Sequence, residues 1–208
     1  LKEKYSFKVI EDAAQSFGAS INEKMSCTFG DISCTSFFPA KPLGCYGDGG
    51  AIFTDNQDYD KIIRSLRIHG QGKDKYNNVR IGLNGRLDTI QAAVLIPKLK
   101  ILNQEIKSRN KIADYYNEKL SRQFKVQLIP DGYESVWAQY SFLCDSSNQR
   151  DEIISSLNEN NIPSAIYYHR PLHLQKAFEA LGYKDGDFPI TENISKRILS
   201  LPMHPYLS

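Results

Sequence analysis

The chain has 208 residues, of which 41% are hydrophobic and 24% charged, an ordinary globular composition with material for a core. With 26 basic and 24 acidic residues the net charge is +2, so electrostatics give no reason to expect nucleic acid or an anionic membrane as partner. No apolar run approaches the roughly 20 residues that a spanning helix needs, and residues 1–5 lack the apolar stretch of a signal peptide. Cys27, Cys34, Cys45 and Cys144 form no C-x-x-C pair. Free thiols in a reducing cytosol are expected, with no metal site and no disulfide framework.

The first part of the chain reads as alternating strands and helices, the pattern of an α/β sheet. Strands are expected over 8–11, 33–37 and 50–54. A helix over 58–67 carries Ile62, Ile63 and Leu66 on one face. Residues 68–80 are polar, contain Gly70 and Gly72, and read as a long loop bearing His69, Lys73 and Lys75. A loop of that length in a compact domain is often functional, although a solvated mobile loop fits it as well. A helix over 87–105 is expected to kink or divide at Pro97. It continues over 106–120 with Ile112, Ala113, Tyr116 and Leu120 as a buried stripe. The domain boundary is placed near residue 115, giving a first domain over 1–115 and a second over 116–208. In the second domain, strands are expected over 137–144 and 164–168, the latter delivering Tyr167, Tyr168, His169 and Arg170 to its end. Helices are expected over 149–160, stopped before Pro163, and over 174–181 and 191–199. No internal repeat or low-complexity segment is present.

The most informative residue is Lys41, in the run Thr35-Ser36-Phe37-Phe38-Pro39-Ala40-Lys41-Pro42-Leu43-Gly44. A lysine among aromatic, proline and glycine neighbours can supply a neutral amine, a nucleophile that forms a Schiff base with a carbonyl such as the aldehyde of pyridoxal phosphate. Taken alone, it is as well read as a surface lysine in a turn. Its company argues otherwise. Upstream, Lys8-Val9-Ile10-Glu11-Asp12 is a short apolar run ending in carboxylates, a strand whose C-terminal end opens into a site. Pyridoxal phosphate needs a carboxylate against its pyridine nitrogen, and Asp12 is the candidate; an Asp capping a strand-to-helix turn is the plainer alternative. Gln15 can hydrogen-bond the ring hydroxyl or packed backbone, and Ser36 is a suitable phosphate ligand or an ordinary strand-end serine. The glycines of Gly44-Cys45-Tyr46-Gly47-Asp48-Gly49-Gly50 permit a tight turn before a strand. They form neither a P-loop nor a dinucleotide fingerprint: the lysine precedes them and a strand follows.

Glu11-Asp12-Ala13-Ala14-Gln15, Ser36-Phe37-Phe38-Pro39-Ala40-Lys41 and Gly47-Asp48-Gly49-Gly50-Ala51 resemble the DegT/StrS sugar aminotransferases. The resemblance continues through Ile81-Gly82-Leu83-Asn84-Gly85-Arg86-Leu87-Asp88-Thr89-Ile90-Gln91-Ala92-Ala93, Pro171-Leu172-His173-Leu174-Gln175 and Leu199-Ser200-Leu201-Pro202-Met203-His204-Pro205, nearly the whole chain. It implies an α/β, fold-type-I pyridoxal-phosphate transferase, represented by the C-terminal part of the large sheet domain and a smaller α+β C-terminal domain. It matches Lys41 to the Schiff-base lysine, Asp12 to the pyridine-nitrogen partner, Gln15 to the residue at the ring oxygen and Ser36 to the phosphate-binding serine. Asn84 matches an asparagine that relatives send into the neighbouring subunit's phosphate site, which implies a homodimer with shared sites. Arg86, Tyr167 and Tyr168 match substrate-side positions. Relatives carry a substantial N-terminal part ahead of the Asp12 strand and a final helix, so the resemblance implies a fragment or processed chain of a longer enzyme.

The implied activity moves an amino group from glutamate to a keto group of a UDP-linked sugar, in the biosynthesis of a surface polysaccharide such as lipopolysaccharide, in the cytoplasm. The subgroup that aminates a UDP-linked 2-acetamido-3-keto glucuronate is the nearest. One departure bears on substrate: many relatives have Tyr-Pro-x-Pro-Leu where this chain has Tyr168-His169-Arg170-Pro171-Leu172. Two readings from other classes stand beside this one. The first is a cofactor-binding homologue with a regulatory or structural role and no turnover. The second is a nucleotide-binding α/β protein, which the glycine spacing disfavours. His173 and His204 lie in the shared motifs and are expected to pack through hydrogen bonds.

Overall fold

The structure, a computed structural model, describes residues 2–207. It divides into two compact units, one running to Lys107 and including Pro130–Ala138, the other comprising Ser108–Ile129 and the chain from Gln139 onward. The expected boundary near residue 115 falls in a helix that both units share; the return of Pro130–Ala138 to the first unit is not part of the sequence reading.

The first unit opens with a single helical turn, α1 (Lys2–Tyr5). Its main sheet has three strands, β1 (Ile10–Asp12), β4 (Ile32–Ser36) and β5 (Gly50–Phe53), in the order β1-β4-β5. β1 and β4 run parallel, and β5 returns antiparallel to β4. Between β1 and β4 lies a hairpin, β2 (Ser20–Ile21) and β3 (Lys24–Met25), turning through Asn22 and Glu23, both at positive φ. That is the two-residue turn whose twist matches paired strands. A third short strand, β7 (Tyr133–Glu134), pairs with β2 and brings the 130–138 segment back. There Gly132 has φ +79°, and a Cβ on it would lie 2.2 Å from the Asn22 amide oxygen. Two-residue strands carry too little periodicity to be read from sequence.

α2 (Gln57–Leu66) is capped by Asn56, whose side chain accepts the N–H groups of Asp58 and Tyr59, and Asp58 and Asp60 occupy the first turn. α3 (Thr89–Leu120) is one helix of 32 residues. Pro97 sits inside it without dividing it. An interior proline costs about 3 kcal/mol, which packing must offset. Leu95 and Leu102, on either side of Pro97, are buried in the core with Phe37, Leu43 and Cys45.

In the second unit β6 (Lys125–Val126), β8 (Tyr140–Leu143) and β9 (Ile198–Leu201) form an antiparallel sheet in the order β6-β8-β9. α4 (Ser147–Glu159) and α5 (Pro189–Arg197) accompany it. Phe142, Cys144 and Leu199 are its buried centre. Four expectations need correcting here. The strand expected from residue 137 begins at Tyr140, because Trp137 takes φ +45°. Only Ala165 of the expected 164–168 strand pairs, through a single bridge to Ser200. The helix expected to reach 199 ends at Arg197, where alternation puts Leu199 in the core as a strand residue. The expected 174–181 helix is two 3₁₀ segments, Leu172–Leu174 and Lys176–Leu181, split at Gln175, which is extended, and ended by Gly182 at φ +78°. Among the described residues no helix is long and apolar enough to cross a membrane.

Candidate active site

In the parallel pair Asp12 stands opposite Cys34 and Glu11 opposite Ser33, while across the antiparallel pair Ser36 stands opposite Gly50. Side chains alternate between faces, so Asp12, Cys34 and Ser36 share one face and Glu11, Ser33 and Thr35 the other. The second face is packed. Phe17 stacks near Phe53 and meets Phe37 edge-on, at centroid distances of 6.1 and 6.4 Å. The Glu11 carboxylate accepts the N–H groups of Cys27 at 2.8 Å and Phe29 at 3.0 Å, and the hydroxyls of Ser33 at 2.8 Å and Ser26 at 3.3 Å. Burial pushes the Glu11 carboxyl up, but these four donors together take it below the ordinary carboxylate range. Sequence reasoning gave Glu11 no role of its own; alternation against Asp12 is the signal that separates the two.

The first face is open. Asp12 ends β1, is exposed, and its Oδ1 accepts one local bond, from the Ala14 N–H at 3.0 Å. The carboxylate has no ion pair and Gln15 no side-chain hydrogen bond among the described residues. Ser36 ends β4 and its hydroxyl accepts the Phe38 N–H at 3.2 Å. Lys41 follows in an irregular turn between β4 and β5. That turn closes through three backbone bonds: Phe37 N–H to Gly49 at 2.8 Å, Cys45 N–H to Phe37 at 2.8 Å, and Lys41 N–H to Phe38 at 2.9 Å. Gly44 is required, since a Cβ there would lie 2.5 Å from the Pro39 carbonyl oxygen. The residues after Lys41, from Pro42 to Cys45, are buried, while Lys41 is half-buried and its ammonium has no partner among the described residues.

An unpartnered amine, an unpaired carboxylate at a strand end and a hydroxyl at the neighbouring strand end are the donor set that pyridoxal phosphate requires. The residues present therefore fit that cofactor. Asp12 and Ser36 lie on one face, and the Lys41 turn leaves from its rim.

The long loop expected over 68–80 is held by backbone bonds to its own flanks and forms an arm. Residues 66–71 pair with 78–85: Leu83 N–H donates to Leu66, His69 N–H to Leu83, Val79 N–H to Gly70 and Gly85 N–H to Arg67, each at 2.8–2.9 Å. Isolated bridges join Ile68 to Asn84 and Gln71 to Asn78. Gly70 has φ +75°, and a Cβ there would collide with the backbone of Arg80. The arm carries Asn84 and Arg86, and Arg86 Nε donates to Asn84 Oδ1 at 3.1 Å. Tyr76 and Ile81 on the same arm are 86% and 99% exposed.

Tyr167 and Tyr168 belong to the second unit, with ring centroids 5.5 Å apart, and line a cavity of about 390 Å³ with Arg170, Leu172, Ile194 and Ile198. Nearby, His173 Nε2 meets Glu192 Oε1 at 2.8 Å, both side chains buried. The backbone N–H groups of Gly186 and Phe188 also donate to Glu192. Burial pushes the Glu192 carboxyl up, but these donors and His173 hold it below its usual range. His173 thus packs through a hydrogen bond.

Residues 1–208 match the DegT/DnrJ/EryC1/StrS aminotransferase family. The UDP-2-acetamido-2-deoxy-3-oxo-D-glucuronate aminotransferase of Pseudomonas aeruginosa is 44% identical over 205 residues, covering 98% of this chain and 55% of that protein. A DegT DnrJ EryC1 StrS aminotransferase from Brucella abortus superposes with TM-score 0.93 at 50% identity, covering all of this chain and 55% of its own. DesV of S. venezuelae, solved in complex with a ketimine intermediate, gives TM-score 0.93 at 31% identity over the same shares. The chain spans about half the length of the curated relatives it matches. Its fold is accordingly part of the fold-type-I α/β architecture.

Proposed function

Since the chain belongs to the DegT/DnrJ/EryC1/StrS aminotransferase family, we propose that the protein is a pyridoxal-phosphate-dependent aminotransferase that moves an amino group from glutamate to a keto group of a UDP-linked sugar. The observation that carries the reading is the open sheet face: Asp12 and Ser36 on one face at the ends of β1 and β4, with the Lys41 amine, unpartnered among the described residues, in the turn that follows. When bound, pyridoxal phosphate supplies an electron sink that makes the α-proton of an amino acid removable. The chain's residues do the rest. Asp12 holds the proton on the pyridine nitrogen, which an opposite charge favours. Ser36 binds a phosphate oxygen through its hydroxyl, and Gln15 orients the ring oxygen. The Lys41 amine anchors the cofactor and afterwards takes and returns the substrate proton at Nζ, as nucleophile and as general acid and base.

The acceptor in this proposal is a UDP-linked 2-acetamido-3-keto sugar, for which the similarity to the P. aeruginosa enzyme is the support. Arg86, a planar fork, is the residue suited to a sugar carboxylate, and Tyr167 and Tyr168 are kept as substrate contacts on the strength of the resemblance. The proposed setting is cytoplasmic, in lipopolysaccharide or other surface-polysaccharide biosynthesis. The proposed assembly is a homodimer in which Asn84 serves the partner's phosphate site. The exposed apolar side chains of the arm, Tyr76 and Ile81, support an arm that is covered in an assembly.

The test is a product assay of the native protein with glutamate and a panel of UDP-keto sugars. An aminated UDP-3-keto glucuronate derivative is the expected product. Absence of the glutamate half-reaction would favour the non-catalytic alternative instead.

A further inference from the structure

We propose that Gln91 and Lys98 of α3 are positioning residues that clamp the Lys41 turn onto the helix; the inference rests on the reading of Lys41 given above. The motif around Gln91 is otherwise without a role in the proposed chemistry. Residues 37–49 contain no regular secondary structure, so the place of Lys41 depends on what ties the turn down. Internally it closes on Phe37, whose carbonyl accepts both the Cys45 N–H and, at 3.0 Å, the Cys45 thiol; the same buried thiol contacts the Gly47 carbonyl at 3.1 Å.

Leu43 and Cys45 of the turn pack with Leu95 and Leu102 of α3, and among the described residues two side-chain hydrogen bonds from α3 hold the turn's backbone just after Lys41. Gln91 Oε1 accepts the Tyr46 N–H at 2.8 Å. Lys98 Nζ donates to the Gly44 carbonyl. Two turns of helix separate these residues, so they share one face, about 10 Å apart along the axis. The glycines of the turn are the counterpart of this grip. A Cβ on Gly47 would lie 3.0 Å from Gln91 Nε2, and one on Gly49 would lie 2.8 Å from Leu87 Cδ1. The turn approaches α3 at Gly47, and Leu87 just ahead of α3 at Gly49, because these positions carry no side chain. Gln91 and Lys98 thereby engage the backbone of the turn, and the Lys41 amine has no partner among the described residues.

The test uses the native protein and the variants Gln91→Ala, Lys98→Met and Lys98→Arg. Hydrogen exchange of the cofactor-free protein is followed in peptides covering residues 38–47, with peptides covering β9 as internal reference. Loss of either tie is expected to speed exchange in 38–47 about tenfold while the reference is unmoved. In the cofactor-loaded protein kcat should fall about tenfold with the glutamate KM within about twofold, and Lys98→Arg should restore both readouts. Unchanged exchange in 38–47, or an equal rise in the reference peptides, would overturn the clamp. Chemical trapping of the cofactor on a different lysine would refute the role of Lys41 and leave the exchange result standing, so the two failures are distinguishable.

Discussion

The two faces of the β1-β4-β5 sheet use the same residue types in opposite ways. On the packed face Glu11 accepts four hydrogen bonds, and Thr35 gives its hydroxyl to the Ala13 carbonyl at 3.0 Å. On the open face the adjacent carboxylate, Asp12, accepts one local bond, and Ser36 caps the next turn with the rest of its capacity unused. Neighbours in sequence are thus separated by the pleat into a structural and a chemical carboxylate. A group that is already satisfied has nothing to offer a ligand; a group left with spare hydrogen-bonding capacity has. Net charge and composition carry none of this distinction.

The contrast can be broken at several points. The largest effect is expected from Asp12→Asn, which should slow the glutamate half-reaction by about 10²-fold or more while cofactor affinity changes far less. Stopped-flow absorbance of the loaded protein measures both, and near-normal turnover would remove Asp12 from the chemistry. Next comes subunit mixing of Lys41→Ala with Asn84→Ala. If the arm serves the partner's site, each hybrid dimer has one intact site and activity returns on exchange. If Asn84 acts in its own chain, mixing gives only the residual activity of the parents.

Smaller still is the effect of Glu11→Gln, predicted to act on stability and not on the half-reaction rate per loaded site. Leaving the buried Ser33 hydroxyl and the N–H groups of Cys27 and Phe29 imperfectly paired should cost about 1 kcal/mol in denaturant unfolding. The sign with pH follows from the lowered carboxyl. A depressed folded-state value stabilises the protein above the ordinary glutamate range, and that contribution is lost as pH falls through the folded value. The native protein should therefore lose stability on the acid side more steeply than Glu11→Gln. Parallel acid profiles for the two would show that Glu11 is not the anchor. Glu192, lowered by Gly186, His173 and Phe188 against its burial, should make a contribution of the same sign within the second unit.

The strands β4, β5 and β8 and the helices α2, α3 and α4 were legible because each has enough residues for a period to show, and β1 as a short apolar run, whereas β9 reads as the end of a helix. Asp12, Ser36 and Lys41 were legible as candidates because motif and residue chemistry agree. What the sequence did not disclose depends on contacts remote in the chain. Pro97 reads as a break, and the core on both sides of it holds the helix together. Residues 68–80 read only as a long polar loop because their side chains do not reveal the backbone bonds that hold it. Trp137 reads as strand from aromatic and small-residue alternation, and Ala165 also reads as strand, whereas a positive φ and a single bridge decide their structure. The ties from Gln91 and Lys98 to a turn some 50 residues earlier leave no mark in either local pattern.

The central claim is that Lys41 is the covalent anchor of the cofactor. Borohydride reduction of the pyridoxal-phosphate-loaded native protein, followed by proteolysis and peptide mass mapping, tests it directly. The account predicts the reduced pyridoxyl group on the peptide containing Lys41 and its loss in Lys41→Arg. Stoichiometric labelling of any other lysine, or labelling that persists unchanged in Lys41→Arg, would contradict it.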